Sequence, residues 1–339
     1  MKKKKMIRVL IVDDSMVFRE TIATEISKDP IIEVVATASD PYMARDKIIE
    51  LEPDVMVLDV EIPKMNGIDF LKKLMPQYPM PVVVISAISE NVFDALKSGA
   101  VDFVTKPDGK KTNSMEYFSS ELIVKIKIAS TANVSHHKKI ERCVVSADKS
   151  ETRCRMIAIG ASTGGTEAVD SILKSLHTET PGIVIVQHMP PVFTNMYAKR
   201  LNNNSKLQVK EAETGDIIRP GMAFVAPGDR HMRIIKKGAL YQIECFFAER
   251  VNGHCPSVDV LFESVAKEVG RNSVGIILTG MGNDGAKGLL EMRKKGARTL
   301  GQDENSSIVY GMPKVAYEIG AVERQSSLEN MAQAMYSLL

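Results

Sequence analysis

Short apolar runs alternate with amphipathic segments along the first 130 residues of the chain. Runs rich in β-branched residues predict strands at 7–12, 34–38, 55–58, 82–85 and 103–105. Between these runs, apolar residues recur at helical spacing and predict helices that include 16–28, 41–51, 91–97 and 115–129. Strands that alternate with helices form a parallel sheet that is covered on both faces. Residues 1–130 are therefore predicted to be a doubly wound α/β domain.

A second series of the same kind follows a polar segment. Residues 131–152 hold mixed charges and few large apolar side chains, which predicts a linker. Further strand patterns follow at 156–159, 182–187, 224–225, 273–278 and 298–301. The chain of 339 residues is long enough to bury two cores. The pattern predicts two α/β domains with parallel sheets, over 1–130 and 153–339, joined by the linker 131–152.

Composition and charge exclude several classes of protein. The net charge of +2 gives no overall attraction to nucleic acid or to a membrane. Four scattered cysteines without a Cys-x-x-Cys pair argue against a zinc site or a disulfide framework and suit a reducing compartment. The apolar run behind the basic residues 2–5 is too short and too charged for a signal peptide. No run approaches the ~18 apolar residues of a membrane span, so the prediction is a cytoplasmic protein without membrane insertion.

Polar side chains stand at the ends of four strands of the first predicted sheet. Asp13 and Asp14 follow the first strand, Asp59 the third, Ser86 the fourth and Lys106 the fifth. Ligands bind beyond the carboxyl ends of parallel strands, and three acids gathered there need a cation such as Mg²⁺. A carboxylate beside that cation can accept a phosphoryl group, whose oxygens Ser86 and Lys106 would hold. Each acid alone is equally explained as a helix cap, but all five positions in order favour a phosphorylation site.

These residues make the first half resemble a response-regulator receiver domain, which has a flavodoxin-like fold, over its full length. The resemblance implies that Asp59 accepts a phosphoryl group from a histidine kinase. It also implies that Asp13 and Asp14 bind Mg²⁺ together with Asp59 and the main-chain carbonyl of Glu61. The run EIPKMNG at 61–67 is the usual continuation of the third strand.

The same resemblance implies three switch positions in the first half. Ser86 and Lys106 match the residues that contact the phosphoryl group, and Phe103 matches the aromatic residue that moves on activation. The resemblance further implies a cis peptide bond between Lys106 and Pro107, which is uncommon for bonds that precede proline.

The second half contains a serine in a glycine-rich turn, within the segment IAIGASTGG at 157–165. An apolar strand pattern leads into this turn and a helical pattern follows it. Such a turn exposes the hydroxyl of Ser162 beside the N–H groups of the helix start, which makes the serine a candidate nucleophile. Turns of this kind also bind phosphates. However, no Gly-Lys-Ser/Thr follows, and the glycines do not fit Gly-x-Gly-x-x-Gly.

A nucleophilic serine needs a base, and the base needs an orienting acid. Among the six histidines, His188 ends the predicted strand 182–187 and so lies at the same sheet edge as Ser162. Asp284 lies in the glycine-rich turn after the strand 273–278. It is also explained as a helix cap, and Asp303, which follows another strand, is the alternative acid. The chain order serine, histidine, aspartate differs from α/β-hydrolases, subtilisin and chymotrypsin, which indicates a different α/β scaffold.

The segments GASTGG, QHMPP and TGMGNDG around these residues, with CPSVD at 255–259, resemble the CheB-type chemotaxis methylesterases over nearly all of 155–339. The resemblance implies a Rossmann-like domain that hydrolyses glutamyl methyl esters on chemoreceptors without a cofactor. Ser162 would form the acyl-enzyme, His188 would act as base and Asp284 would orient it. The N–H of Met281 and a group near Thr163 are the candidates for the oxyanion hole. Family members often also deamidate glutamines, a point that the sequence leaves open.

A receiver joined to such a domain implies an esterase that is controlled by phosphorylation. Receivers most often control DNA-binding modules, so the alternative is a receiver-controlled regulator that binds nucleic acid or a nucleotide. The second half is longer than such modules and has no concentrated stripe of Lys and Arg. The predicted partners are therefore methyl-accepting chemoreceptors and a histidine kinase, and not nucleic acid.

Overall fold

The chain divides into two compact units, residues 1–137 and 138–339. The computed structural model describes residues 6–62, 65–87, 91–107, 114–134 and 154–339. The basic residues 2–5 and all but the first four residues of the predicted linker 131–152 lie outside the described residues. Within the described parts, no helix combines the length and the apolar character that crossing a bilayer requires.

The first unit is a five-stranded parallel sheet with the order β2-β1-β3-β4-β5. This is the strand order of doubly wound, flavodoxin-like folds. Its strands are β1 (Ile7–Val12), β2 (Ile32–Ala38), β3 (Val55–Asp59), β4 (Val82–Ser86) and β5 (Asp102–Thr105). Its helices are α1 (Met16–Ile26), α2 (Pro41–Leu51), α3 (Gly67–Leu74), α4 (Asn91–Lys97) and α5 (Ser114–Ala129). Strands β3 and β4 are buried along their whole length, as expected when helices cover both faces.

Side-chain caps fix where three of these helices begin. Ser15, Asp40 and Asn66 each accept a hydrogen bond from a backbone N–H in the first turn of α1, α2 and α3. Such caps satisfy donors that have no partner within the helix. Pro41 at the first position of α2 adds a preset backbone angle. Since α1 and α3 begin shortly after β1 and β3, these caps also fix the loops that carry the acidic residues.

The second unit is built on a seven-stranded sheet with the order β14-β13-β12-β6-β7-β9-β8, in which neighbouring strands are parallel. An antiparallel hairpin of β10 and β11 stands apart from it. The strands are β6 (Met156–Ala161), β7 (Gly182–Gln187), β8 (Gln208–Glu211), β9 (Met222–Val225), β10 (His231–Lys237), β11 (Leu240–Phe246), β12 (Ser273–Ile277), β13 (Arg298–Gln302) and β14 (Arg324–Ser326). The helices are α6 (Gly165–Lys174), α7 (Phe193–Asn204), α8 (Val258–Glu268), α9 (Ala286–Lys294), α10 (Met312–Glu318) and α11 (Leu328–Tyr336), with a 3-10 turn at Gly270–Asn272.

The strand order reverses between β6 and β12. From β6 the chain proceeds to β7 and β9 on one side, and it returns later to place β12 on the other. In open parallel sheets, ligands bind beyond the carboxyl ends of the strands at such a reversal. Both segments that the sequence analysis selected, 157–165 and the turn after β12, end at this point.

The helix α8 packs directly on the end of β6. A methyl group on Gly160 would lie 2.2 Å from Cγ1 of Val258, closer than any real contact. Glycine at this position therefore allows α8 to approach the strand. Val258 and Phe262 of α8 are fully buried in the core of the second unit. This packing brings the N-terminus of α8 to the sheet edge that carries the candidate site.

Candidate active site and acidic cluster

Ser162 and His188 occupy matching positions on neighbouring strands. The parallel register pairs Ala161 at the end of β6 with Gln187 at the end of β7, so Ser162 and His188 are the next residues along the two strands. The backbone N–H of His188 continues the ladder by donating to the carbonyl of Ala161 at 3.1 Å. The shared sheet edge predicted from the sequence is therefore present in the structure.

The backbone around Ser162 is fixed by neighbours on three sides. Its N–H donates to the carbonyl of Thr279 at 3.0 Å, and its own carbonyl accepts from Gly165 N–H and from Nε2 of Gln187, both at 2.8 Å. The backbone of Gly280 also lies against Ser162, because a methyl group on this glycine would be 2.6 Å from Ser162 Cβ. Ser162 is thus rigidly placed on the turn between β6 and α6.

The carboxylate of Asp284 is buried and held by several donors. Its Oδ1 accepts from Ser257 Oγ at 2.7 Å and from Asn252 Nδ2 at 2.8 Å, and its Oδ2 accepts from the N–H of Val258 at 2.7 Å. Burial acts most strongly and by itself raises the pKa of this carboxyl. The hydrogen bond and charge of His188, together with the bonds from Asn252 and Val258, outweigh burial and hold the pKa well below its usual range. Asp284 is therefore ionised at neutral pH and can only accept hydrogen bonds.

His188 is bound to this carboxylate through one ring nitrogen. Nε2 lies 2.8 Å from Oδ2 of Asp284, and the two side chains are 8% and 1% exposed. Since an ionised carboxylate only accepts, Nε2 carries a proton, and when the ring is neutral Nδ1 carries the lone pair. Nδ1 is buried and has no hydrogen-bond partner among the described residues. In the neutral form of the ring, Nδ1 is therefore an unused acceptor. His188 lies at the end of β7, next to the end of β6 that precedes Ser162.

Four further residues at this site were not found from the sequence. The N-terminal cap of α8, Ser257, and the amide of Asn252 both bind Asp284. The same amide donates to Asp259, whose pKa burial raises. The ring of His254 is stacked on His188 with centroids 3.7 Å apart. Ser257 and Asp259 lie in the segment CPSVD, which was quoted for the resemblance without a role for either residue, and the Asn-Gly pair at 252–253 is typical of a tight turn.

The two oxyanion candidates are each the chain neighbour of a residue of the Ser162–Gly280 contact, Thr163 of Ser162 and Met281 of Gly280. Thr163 is buried, and its carbonyl accepts a hydrogen bond from Thr279 Oγ1 at 3.0 Å. Met281 is 45% exposed and directly follows Gly280, the glycine that packs against the serine. The alternative acid, Asp303, caps its own loop by accepting from the N–H and the hydroxyl of Ser306.

In the first unit, the predicted acidic residues do come together. Carboxylate oxygens of Asp13, Asp14 and Asp59 lie within 4.8 Å of one another. Asp13 and Asp59 are buried, whereas Asp14 is exposed. Nζ of Lys106 binds Oδ2 of Asp13 at 2.9 Å and Oδ2 of Asp59 at 2.6 Å. The ammonium group of Lys106 thus bridges the two buried carboxylates of the cluster.

The charged groups of this cluster shift one another's pKa values. Burial raises the pKa of Asp13 most, the Lys106 ammonium lowers it, and the neighbouring Asp59 raises it again, with a net increase. Burial lowers the pKa of Lys106, but its hydrogen bonds to Asp59 and Asp13 outweigh burial and raise it. Three carboxyl groups face one ammonium group in this cluster, so oxygen ligands outnumber the cation, which fits a hard divalent cation.

The remaining receiver positions lie at the end of β4, within β5 and just after β3. Ser86 ends β4, is buried and donates its hydroxyl proton to the carbonyl of Ala87 at 2.8 Å. Phe103 is buried in β5. The side chain of Glu61 is exposed, and its N–H donates to Oδ1 of Asp59 at 3.1 Å.

The expectation of a cis peptide bond between Lys106 and Pro107 was wrong. Among the described residues, the cis peptide bond is Cys255–Pro256. The trans form is the ordinary state of bonds that precede proline, favoured by about 0.5–1 kcal/mol.

Comparison with known proteins agrees with both halves of this description. The profile of the CheB methylesterase family matches residues 157–335, and that of the response regulator receiver domain matches 9–113. A protein-glutamate methylesterase/protein-glutamine glutaminase 2 of Syntrophomonas wolfei is 58% identical over 333 residues, which are 98% of each chain. The chain belongs to the CheB methylesterase family. The resemblance stated from the sequence is thereby confirmed.

One further relative is similar over nearly the whole chain, and one solved structure over about half of it. The protein-glutamate methylesterase/protein-glutamine glutaminase of Escherichia coli O157:H7 is 48% identical over 334 residues, which are 97% of this chain and 96% of the relative. The crystal structure of the CheB methylesterase catalytic domain of Thermotoga maritima has a TM-score of 0.54 and 33% identity. It covers 55% of this chain and 99% of that chain. The prediction of two doubly wound parallel-sheet domains is confirmed.

Proposed function

We propose that this member of the CheB family hydrolyses glutamyl methyl esters on chemoreceptors and deamidates glutamines there. The reaction passes through an acyl-enzyme on Ser162 and is controlled by phosphorylation of Asp59. The names of the relatives support the substrate class. The observation that carries the proposal is the state of His188. Its Nε2 is bound to the ionised Asp284, and its buried Nδ1 has no partner among the described residues. In the strand register, His188 itself follows the partner of Ala161 and so lies at the same sheet edge as Ser162.

The steps follow from these positions. Oγ of Ser162 attacks the ester carbonyl and passes its proton to Nδ1 of His188. The imidazolium is stabilised by Asp284 and returns the proton to the leaving methanol. Water then attacks the acyl-enzyme while Nδ1 again takes a proton. This proton passes to the leaving Oγ of Ser162 as the free glutamate departs. Deamidation is the same acyl transfer from a glutamine, with ammonia as the leaving group.

The negative oxygen of each tetrahedral intermediate needs hydrogen-bond donors. We assign the backbone N–H of Met281 and a group near Thr163 to this task, because Met281 follows Gly280 and Thr163 follows Ser162. Removing one such donor typically costs about 10²–10³ in rate. The two ring nitrogens of His188 have the opposite assignment from the chymotrypsin triad, in which Nδ1 binds the aspartate and Nε2 faces the serine.

The acidic cluster would supply the control. Mg²⁺ would be held by Asp13, Asp14, Asp59 and the main-chain carbonyl of Glu61, where it would neutralise the charge of the phosphoryl oxygens. The phosphoryl group on Asp59 replaces one carboxylate oxygen as the partner of Lys106.

The switch residues would respond to the new phosphoryl group. The hydroxyl of Ser86, which now donates to Ala87, turns toward the phosphoryl oxygens. Phe103 of β5 changes position in response. The phosphoryl donor is a histidine kinase, and the site of action is the cytoplasmic part of the receptor.

Methanol release from methylated receptor membranes tests this proposal. It is measured with and without acetyl phosphate and Mg²⁺, for the wild type, Ser162→Ala and Asp59→Asn. Ser171→Ala, a serine of α6 away from the strand ends, is the matched control. We expect release that increases with acetyl phosphate, is absent in Ser162→Ala and stays at the basal rate in Asp59→Asn.

Two results would contradict the proposal. Release that persists in Ser162→Ala would exclude the acyl-enzyme on that serine. Activation of Asp59→Asn by acetyl phosphate to the wild-type level would exclude control through that residue.

Salt-dependent binding of duplex DNA by the wild type, without methanol release, would favour the alternative of a nucleic-acid-binding regulator.

A further inference from the structure

Residues 251–254 form a tight turn at the edge of the candidate active site. The N–H of Val251 donates to the carbonyl of His254 at 3.0 Å, and the N–H of His254 donates back to Val251 at 2.9 Å. The two central residues, Asn252 and Gly253, have φ angles of 52° and 83°. Left-handed angles at both centres define a type I′ turn, and Asn-Gly is the pair that tolerates them best. The path of the chain here is therefore set by local sequence.

The first central residue of this turn reaches the acid of the site. Nδ2 of Asn252 lies 2.8 Å from Oδ1 of Asp284 and 2.8 Å from Oδ2 of Asp259. An amide nitrogen has two protons, so each carboxylate receives one of them. Asp259 is anchored separately, because its Oδ1 accepts from the N–H of Gly288 at 2.7 Å. Asn252 thus ties the orientation of Asp284 to the packing of α8 on α9.

The last residue of the turn reaches the base. The imidazole of His254 lies over that of His188 with a centroid distance of 3.7 Å and an angle of 8° between the planes. A single hydrogen bond, from Nε2 to Asp284, leaves the His188 ring free to tilt about that bond. A ring packed flat against its face removes this freedom. The face of the His254 ring also lies against the positive charge that forms on His188 during the reaction, as in a cation–π contact.

We propose that the turn 251–254 is the positioning element of the His188–Asp284 pair. Asn252 fixes the carboxylate and His254 fixes the plane of the imidazole, so that the ring that carries Nδ1 keeps one orientation. Asn252 binds the acid and His254 packs on the ring of the base, and neither takes part in bond making or proton transfer. The inference rests on the proposed acyl-enzyme function and deepens it, because it assigns the geometry of the base to two residues of one turn. Both act in every turnover, since the base is used in acylation and in deacylation.

Variants of the full chain separate this role from a general effect on folding. His254→Ala removes the stacked ring and His254→Phe retains an aromatic face. Asn252→Gly removes the amide but keeps a residue that adopts a left-handed angle without strain. His177→Ala, whose ring contacts Tyr336, is the matched control. For each variant, kcat and KM of methanol release, the rate of labelling of Ser162 by a fluorophosphonate, and the thermal unfolding midpoint are measured.

We expect His254→Ala and Asn252→Gly to lower kcat and the labelling rate by about 10- to 100-fold, the loss that a displaced catalytic group causes. KM and the unfolding midpoint should change little. His254→Phe should recover most of the wild-type rate, which a purely structural loss would not predict. His177→Ala should resemble the wild type.

Three outcomes would overturn the proposal. Wild-type kcat in both His254→Ala and Asn252→Gly would show that the turn does not position the pair. A His254→Phe variant as slow as His254→Ala would show that a ring nitrogen, rather than the stacked face, acts. An effect confined to KM would assign the turn to substrate contact instead.

Labelling also separates this proposal from the proposed function. It reports the reactivity of Ser162 with any substrate. If the wild type is labelled faster than His254→Ala but releases no methanol, only the assigned substrate is refuted. A wild type that does neither would refute both.

Discussion

The backbone of Gly280 lies so close to Ser162 that a methyl group on the glycine would be 2.6 Å from Ser162 Cβ and 3.1 Å from its backbone nitrogen. The two residues belong to loops that follow β6 and β12, the strands on either side of the reversal in strand order. The hydrogen bond from Ser162 N–H to Thr279 joins the same loops. The serine therefore depends for its place on a glycine that is distant along the chain.

Gly280→Ala should therefore inactivate the enzyme without unfolding it. The added methyl group must push the serine loop away, and a displacement of about 1 Å at a reacting group costs roughly 10²-fold in rate. The stability cost should be about 1–3 kcal/mol, as for other overpacked sites. The rate of fluorophosphonate labelling of Ser162 and urea unfolding of the same sample measure the two effects.

Gly320→Ala is the matched control for this variant. Gly320 has a φ of 76° and no atom within 4 Å of an added Cβ. The substitution should cost about 1 kcal/mol in stability, because alanine disfavours that angle, and should leave labelling unchanged. Equal labelling rates in the two variants would show that the contact between Gly280 and Ser162 does not fix the serine.

Asp284→Asn should reduce kcat by roughly 10³–10⁴-fold, the scale found when the acid of a serine triad is replaced by its amide. An amide that donates to Nε2 of His188 would move the ring proton to Nδ1, where the lone pair is needed. Asp303→Asn, the alternative acid from the sequence, should keep the wild-type kcat. If kcat falls further in Asp303→Asn than in Asp284→Asn, Asp303 rather than Asp284 is the acid that orients His188.

The sequence was sufficient to predict where the residues at strand ends lie, whereas their roles stay predictions. Ser162, His188 and Asp59 each follow a buried apolar run, and parallel strands bring such ends to one edge whatever the separation along the chain. Turn chemistry was less informative. The pair Asn252-Gly253 indicates a turn, but nothing in the local pattern shows that the turn faces Asp284, 32 residues away.

Other features depend on side-chain geometry that no pattern records. Which ring nitrogen of His188 binds Asp284 is set by the direction from which α8 and its cap approach. The edge strands β8 and β14 are four and three residues long and partly polar, so they lack the apolar runs that marked the central strands. The bridge from Lys106 to both Asp13 and Asp59 follows from the sheet order, which the alternation of elements alone does not define.

The two buried acids of the site should make opposite contributions to stability as the pH changes. The pKa of Asp284 is lowered by folding, so its contribution is fully present above the unfolded value of about 3.9 and is lost as the pH falls below it. The pKa of Asp259 is raised, mainly by burial, so folding binds its proton more tightly and its ionisation costs stability as the pH rises through the folded value.

Urea unfolding of the wild type, Asp284→Asn and Asp259→Asn at pH 6 and pH 3.5 measures these contributions. The difference in unfolding free energy between wild type and Asp284→Asn should decrease from pH 6 to pH 3.5. For Asp259→Asn, the wild type should gain relative to the variant over the same interval. A difference that does not depend on pH in either case would mean that the folded and unfolded pKa values of that acid are equal.

Replacement of one acid should weaken divalent cation binding in the first unit. Asp13→Asn keeps an oxygen that accepts the hydrogen bond from Ser15 N–H, seen at 2.9 Å, but removes one negative charge from the cluster. Because the number of charged ligands largely sets the affinity of such sites, Mg²⁺ binding should weaken by roughly 10-fold or more. Isothermal titration of the full chain with MgCl₂ measures this change.

Asp69→Asn is the matched control, because it removes one negative charge from the first unit but none from the acidic cluster. Asp69 lies on α3 in an exposed ion pair with Lys72 at 3.3 Å, and its removal changes the net charge by the same amount. It should leave Mg²⁺ affinity within about 2-fold of the wild type, since exposed charges are screened by salt within about 10 Å. Acetyl phosphate should also fail to activate Asp13→Asn at Mg²⁺ concentrations that suffice for Asp69→Asn. Equal Mg²⁺ affinities in the two variants would place the cation elsewhere and would remove Asp13 from its site.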